Sequence, residues 1–268
     1  MNKLTRTEDQ VALTLRIAVA CCFIGHGVFG VITKEIWCNY FGVFGIGRET
    51  SYALMPVVGI ADILMGIWML VYPVRFVPAW LIFWGLLTAL LRPLSGEPFA
   101  EFLERAGNYG APLALLVLVG FPQHLRGFFR KMAVPGNGSP AQLQRTRQVL
   151  QVVVFLLLLG HGWLNLIEKK GLLDQYASLG LPAVAMARWV GLLEVLAALL
   201  VLVKPIRPLL LLFFGWKMLS EMFYPNYGLF EWIERGGSYG AILALWLLSG
   251  NPLSTGRGWW GNKKLAGA

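Results

Sequence analysis

Long apolar runs separated by short polar stretches fill this chain. Val11–Ile32, Ala53–Val71, Val149–Ile167 and Val184–Val203 each reach the length of about 20 apolar residues that a membrane-spanning helix needs. Phe76–Leu91, Gly107–Phe121, Leu209–Phe223 and Gly237–Gly250 are apolar but shorter. Two of these runs extend into the polar segment before them, because 99–106 and 230–236 hold no proline to stop a helix. Arg92-Pro93 and Tyr224-Pro225 are read as helix ends. The pattern predicts eight transmembrane helices.

The pattern is written twice. Glu101-Phe-Leu-Glu-Arg-Ala-Gly-Asn-Tyr-Gly-Ala111 returns as Glu231-Trp-Ile-Glu-Arg-Gly-Gly-Ser-Tyr-Gly-Ala241, about 130 residues on. Gly25-His26-Gly27 matches Gly160-His161-Gly162, and Gly59-Ile-Ala-Asp62 matches Gly191-Leu-Leu-Glu194. Pro73-Val-Arg75 matches Pro205-Ile-Arg207, and Trp84 matches Trp216. The organisation predicted is a four-helix unit over 1–122, a basic linker over 123–147 and a second four-helix unit over 148–268 that ends in a basic tail. Pro135-Gly-Asn-Gly-Ser-Pro140 makes that linker a flexible joint.

Composition and charge sharpen this reading. Hydrophobic residues make up 57% of the sequence and charged residues 14%, against about 25% charged in soluble domains. The expected class is an all-α integral membrane protein. The net charge of +9 then bears on topology and not on nucleic-acid binding, because the basic residues concentrate between apolar runs. The amino terminus (Lys3, Arg6, Arg16), the linker (Arg126, Arg130, Lys131, Arg145, Arg147) and the tail (Arg257, Lys263, Lys264) are all basic. The positive-inside rule sends all three to the cytoplasm. Each unit must then cross an even number of times. The two units become parallel repeats related by a pseudo-twofold along the membrane normal. Glu35, Glu49, Glu97, Glu168 and Asp174 fall on the outer side. The first apolar run is too long for the core of a signal peptide and is read as the first span. Cys21, Cys22 and Cys38 form no CxxC motif, so dithiol chemistry has no support.

Ionisable groups inside spans are costly and mark interior sites. His26 and His161 lie toward the outer halves of their helices between glycines, where close helix approach or a bulky ligand is allowed. Each suits a hydrogen bond to a quinone, a proton transfer or haem ligation; each also suits a structural bond to a neighbouring backbone. Nothing else in the chain calls for haem. Asp62 and Glu194 lie mid-helix, and a buried carboxylate there must find a partner or stay neutral. For Glu194 the expected cation is Lys217, with Glu221 one turn beyond. The first unit has Gly85 and Ala89 at those positions, so a specialised site is expected in the second unit.

In the doubled motif, Glu101 and Arg105, like Glu231 and Arg235, are four apart and share a helix face. Glu104 and Glu234 are expected to point elsewhere, with Tyr109 and Tyr239 at interface depth. Such a set lines an outward polar pocket or forms a salt-bridged hinge between the third and fourth helices of each unit. P-loop, GxGxxG, HExxH and GxSxG motifs are absent. With three histidines in all, no histidine-rich metal centre is expected.

Together, Gly-His-Gly late in the first helix, Gly-x-x-Asp/Glu in the second, the Pro-x-Arg turn and Glu-Arg-x-Gly-Asn/Ser-Tyr-Gly before the fourth resemble the DoxX-like family of small four-helix bacterial membrane proteins. The resemblance covers nearly the whole chain, as a fused pair. It implies a multi-pass protein of the bacterial inner membrane and a link to quinone-coupled oxidation of small reduced compounds such as thiosulfate. The leading expectation is a redox-associated protein that binds a quinone or similar apolar ligand, with His26 and His161 bonding a carbonyl and Asp62 or Glu194 moving the proton. A carrier for a small, anionic or apolar solute at Lys217, Glu194 and Glu221 is the second. An assembly subunit with partners in a membrane complex is the third.

Overall fold

A chain surrounded by lipid must satisfy its backbone polar groups internally, which leaves helices as the natural answer to long apolar runs. The computed structural model describes residues 3–132, 140–222 and 228–250. Its α-helices are α1 (Lys3–Val31), α2 (Trp37–Gly42), α3 (Arg48–Val71), α4 (Phe76–Leu94), α5 (Ala100–Glu104), α6 (Ala106–Val119), α7 (Pro140–Leu166), α8 (Lys170–Ser178), α9 (Ala183–Val203), α10 (Arg207–Met222), α11 (Gly228–Glu234) and α12 (Gly236–Ser249). A short 3₁₀ turn, Leu125–Phe129, follows α6. Among the described residues the only β feature is an isolated bridge from Val74 to Lys131. The joint expected at 135–139, the Tyr224-Pro225 stop and the basic tail with Arg257, Lys263 and Lys264 lie outside the described residues.

Five helices (α1, α3, α4, α7 and α9) are long and apolar enough to cross a membrane. The other three apolar runs are helical but shorter: α6 and α12 have 14 residues each and α10 has 16. The polar segments before α6 and α12 do coil, but as separate short helices, α5 and α11. Arg105 and Arg235 interrupt the helix there, with φ/ψ of −86°/12° and −79°/8°. Tertiary packing explains the break. It brings Gly107 against the backbone of Ser238 and Gly237 against that of Gly107, so tightly that neither position has room for a methyl group. At the other expected stop, α4 runs one residue past Pro93 before it ends.

Small residues set the remaining crossings. Gly27 of α1 packs on the backbone of Gly59 in α3, and Gly162 of α7 packs on that of Gly191 in α9. α1 also lies along α12, and α7 along α6. Leu15, Val19, Leu115, Leu118, Leu150, Leu157, Ile242 and Leu245 fill one continuous core among these four helices. Outside it, Val57, Ile60, Leu64, Ile67 and Val71 line an exposed stripe on α3, and Trp189, Leu193, Leu196 and Val203 line one on α9. Spacing of three and four residues makes each a single apolar face, suited to a lipid bilayer. The exposed last carbonyls of these two helices are capped from a neighbour: Arg16 of α1 donates to the carbonyl of Leu70 at 2.7 Å, and Gln151 of α7 to that of Leu202 at 2.7 Å.

Two short helices were not legible in the apolar pattern. α2 and α8 fold back within the connections after α1 and α7. α2 turns Trp37 and Tyr40 inward, and α8 turns Leu172, Gln175 and Tyr176 inward.

Candidate functional site

His26 comes late in α1, beside α3. Its Nδ1 lies 2.8 Å from Oδ2 of Asp62, which also accepts from the Trp84 indole at 3.2 Å. Asp62 is buried and thus gains two donors. The imidazole is 17% exposed because it borders a cavity. Phe29, Trp37, Tyr40, Phe41, Phe44 and Trp84 form its aromatic walls, and Trp37 packs 4.7 Å from the imidazole, centre to centre. Lys34, Arg92, Arg105 and Glu234 supply its charges. The cavity offers about 100 Å³. A single water needs about 10–15 Å³ of such space, so there is room for several waters or one small ring.

His161 sits at the matching place on α7 but has no such opening beside it. Its Nδ1 meets Oε2 of Glu194 at 2.5 Å. Asn165, one turn on, donates to the His161 carbonyl and accepts from the Tyr176 hydroxyl at 2.8 Å. The partner of Glu194 is therefore His161, not Lys217 as the spacing suggested. Lys217 and Glu221, both buried, pair with each other at 3.1 Å along α10. The expectation of a specialised site in the second half is reversed: the open cavity belongs to His26, and Lys217 and Glu221 fill space beside His161.

The two doubled motifs neither line an outward pocket nor lock successive helices. They cross. α11 packs on α1 at Gly25, where a methyl group would collide with the backbone of Glu234; α5 packs on α7 at Gly160, where it would collide with Glu104. Each motif thereby delivers a glutamate to the other half's histidine. Glu234 joins His26 at the cavity, and Glu104 joins His161 and Glu221. Contrary to the expectation that it points away, Glu104 accepts from Arg105 at 2.9 Å and from Arg235 across the interface. Arg235 also pairs with Glu221 at 2.9 Å. Glu101 pairs with Arg105 at 3.0 Å, Lys169 at 2.5 Å and Arg92 at 3.5 Å. Glu231 pairs with Lys34, whose ammonium sits 4.0 Å over the Phe29 ring. Tyr109 stacks on Phe102, and the buried Tyr239 hydroxyl has no hydrogen-bond partner.

Burial by itself pushes the Glu104 carboxyl up. Arg235 and Arg105 outweigh it and hold Glu104 well below the usual carboxylate range. Glu234 is likewise pushed up by burial but held low by Arg105, His26 and Lys34. The ligand atoms of Glu104, His161 and Glu221 lie within 4.8 Å of one another, close enough to hold a metal ion. However, both oxygens of Glu104 and both of Glu221 already face Arg105, Arg235 or Lys217. A cation entering here meets two guanidiniums and an ammonium in the place of its own charge, so the donor set fits an internal ion-pair cluster better than a metal.

The sequence singled out the histidines, the mid-helix carboxylates and the charged motifs. It missed Trp37, Tyr40, Lys34, Arg92, Lys169, Asn165 and Tyr176. One signal was available: Lys34 and Lys169 each follow their histidine by eight residues. Comparison with known proteins finds no matching family model, no matching curated protein and no matching solved structure.

Proposed function

We propose that this chain is a duplicated DoxX-like membrane protein that binds one ring-shaped small molecule, a quinone or close relative, in the His26 cavity. The observation that carries the reading is the His26–Asp62 pair facing an aromatic-walled cavity. Asp62 holds Nδ1 and fixes the orientation of the imidazole, leaving Nε2 for an oxygen on the ring. Trp37 and Phe41 supply flat apolar walls, the kind of surface on which a ring packs well. Asp62, bonded to His26, is placed to exchange a proton with it. In this reading the protein lies in a bacterial inner membrane with eight crossings, both termini cytoplasmic and its halves related by a twofold along the membrane normal. The repeated sequence, the matching His–carboxylate pairs and the crossed motifs support it. A carrier site at Lys217, Glu194 and Glu221 finds less support, because those charges are spent on Arg235, His161 and one another.

The test is a titration of the purified chain with a soluble, short-tailed quinone, read by quenching of tryptophan fluorescence. Saturable quenching is expected. His26→Gln is expected to weaken binding about tenfold, the equivalent of one lost hydrogen bond of about 1.4 kcal/mol. Quenching that stays linear with quinone, or is unchanged in His26→Gln, rules the site out.

A further inference from the structure

The two histidine sites differ in what lies beyond the imidazole. Beside His161 it is the Glu221 carboxylate. One oxygen pairs with Lys217 at 3.1 Å and the other with Arg235 at 2.9 Å, and the group lies within ligand distance of His161 and Glu104. In the repeated sequence Glu221 stands where the first half has Ala89, and Lys217 where it has Gly85. His26, Arg105 and the crossing Glu234 occupy the places of His161, Arg235 and Glu104. The first half thus keeps the histidine, the arginine and the glutamate but has no carboxylate among them, and there the cavity lies.

Arg105 is poised for such a group. Its hydrogen bonds to Glu101 and Glu104 both use Nη1, which leaves Nε and Nη2 for the cavity that it lines. No hydrogen bond or ion pair closes Arg105 onto Glu234. We infer that the cavity takes a ring compound bearing a carboxylate, which sits between His26 and Arg105 as Glu221 sits between His161 and Arg235. The second half carries its own carboxylate, so the chain holds one such ligand and not two. This inference rests on the ring-ligand reading and narrows it to an acid. Nearness of a second carboxylate, Glu234, is no obstacle, because Arg235 already bridges Glu104 and Glu221 in the same molecule. Arg92 and Lys34 add positive charge at the cavity, in the absence of a counterpart to Lys217.

Calorimetric titration of the full chain in detergent compares three probes: 2-naphthoate, the neutral alcohol 2-naphthalenemethanol and a short-tailed quinone. The acid is expected to bind once per chain and at least tenfold more tightly than the alcohol. Alcohol or quinone binding as tight as the acid's overturns the inference and leaves the ring-ligand reading standing. Binding of none of the three overturns both. Two acids per chain overturns the role given to Glu221. Ala89→Glu, which supplies the first half with a built-in carboxylate, is expected to lower naphthoate affinity at least tenfold. Should that variant fail to fold, Glu221→Ala serves instead. Added formate is expected to raise its melting temperature by several degrees and leave the wild type unmoved; no rise overturns the inference.

Discussion

Glu104→Gln is expected to destabilise the protein by about 3–5 kcal/mol, the range for removing one partner of a buried ion pair. Glutamine keeps the volume and an acceptor oxygen but not the charge. Glu104 is buried and binds Arg105 of its own half and Arg235 of the other. Both guanidiniums would lose part of their compensation inside a low-dielectric interface, and that is where most of the loss arises. Acid should reproduce the effect in the wild type. Arg235 and Arg105 hold the Glu104 carboxyl well below its ordinary value of 4.5. A carboxylate lowered by folding contributes stability that is fully present above its unfolded value and lost as pH falls through the folded one. The wild-type melting temperature in detergent should therefore fall on acidification below about pH 4.5, and fall less steeply in Glu104→Gln. A variant that melts with the wild type at pH 7 would show that the cluster does not join the halves.

Gly160→Ala should be as damaging through sterics alone. A methyl group there collides with the Glu104 backbone nitrogen and lies 2.7 Å from the carbonyl carbon of Leu103. Neither atom belongs to a side chain that can rotate away. α5 and α7 would have to separate, and the Glu104 contacts to His161 and Glu221 would loosen with them. Overpacking of a well-packed core costs about 1–3 kcal/mol, and a clash with backbone belongs at or above the top of that range. Gly215→Ala in α10 is the control: nothing lies within 4 Å of the added methyl, and alanine favours a helix by about 1 kcal/mol over glycine. Thermal melts should separate the two variants clearly. Equal melting temperatures would contradict the close packing of α5 on α7.

Much of the site was legible residue by residue. A histidine or carboxylate within an apolar run stands out because lipid tolerates it only with a partner. His26, Asp62, His161 and Glu194 were found in this way, although the pairing of Glu194 with His161 was not. Lys217 was closer in sequence register to Glu221 and took that partner, and Glu194 was left facing α7. The aromatic residues of α2 were invisible for a different reason. A six-residue helix is too short to show a periodic pattern, and Trp37 and Tyr40 read as loop residues.

The sequence by itself determined the membrane character, the helical class, the order of the long helices and the identity of the ionisable groups within them. These follow from local quantities: apolar run length, helix-breaking residues and the cost of a charge in lipid. Tertiary structure decided the partners. Each Glu-x-x-Glu-Arg segment crosses to the other half because Gly25 and Gly160 leave room for a backbone and Arg105 and Arg235 break the helix ahead of the Gly107 and Gly237 contact. It also decided which half is open. At Gly85 and Ala89 the first half has no side chain long enough to fill the space beside the histidine; at Lys217 and Glu221 the second half fills it with an ion pair. That outcome depends on which side chains meet across helices, a property that no single stretch of the chain contains.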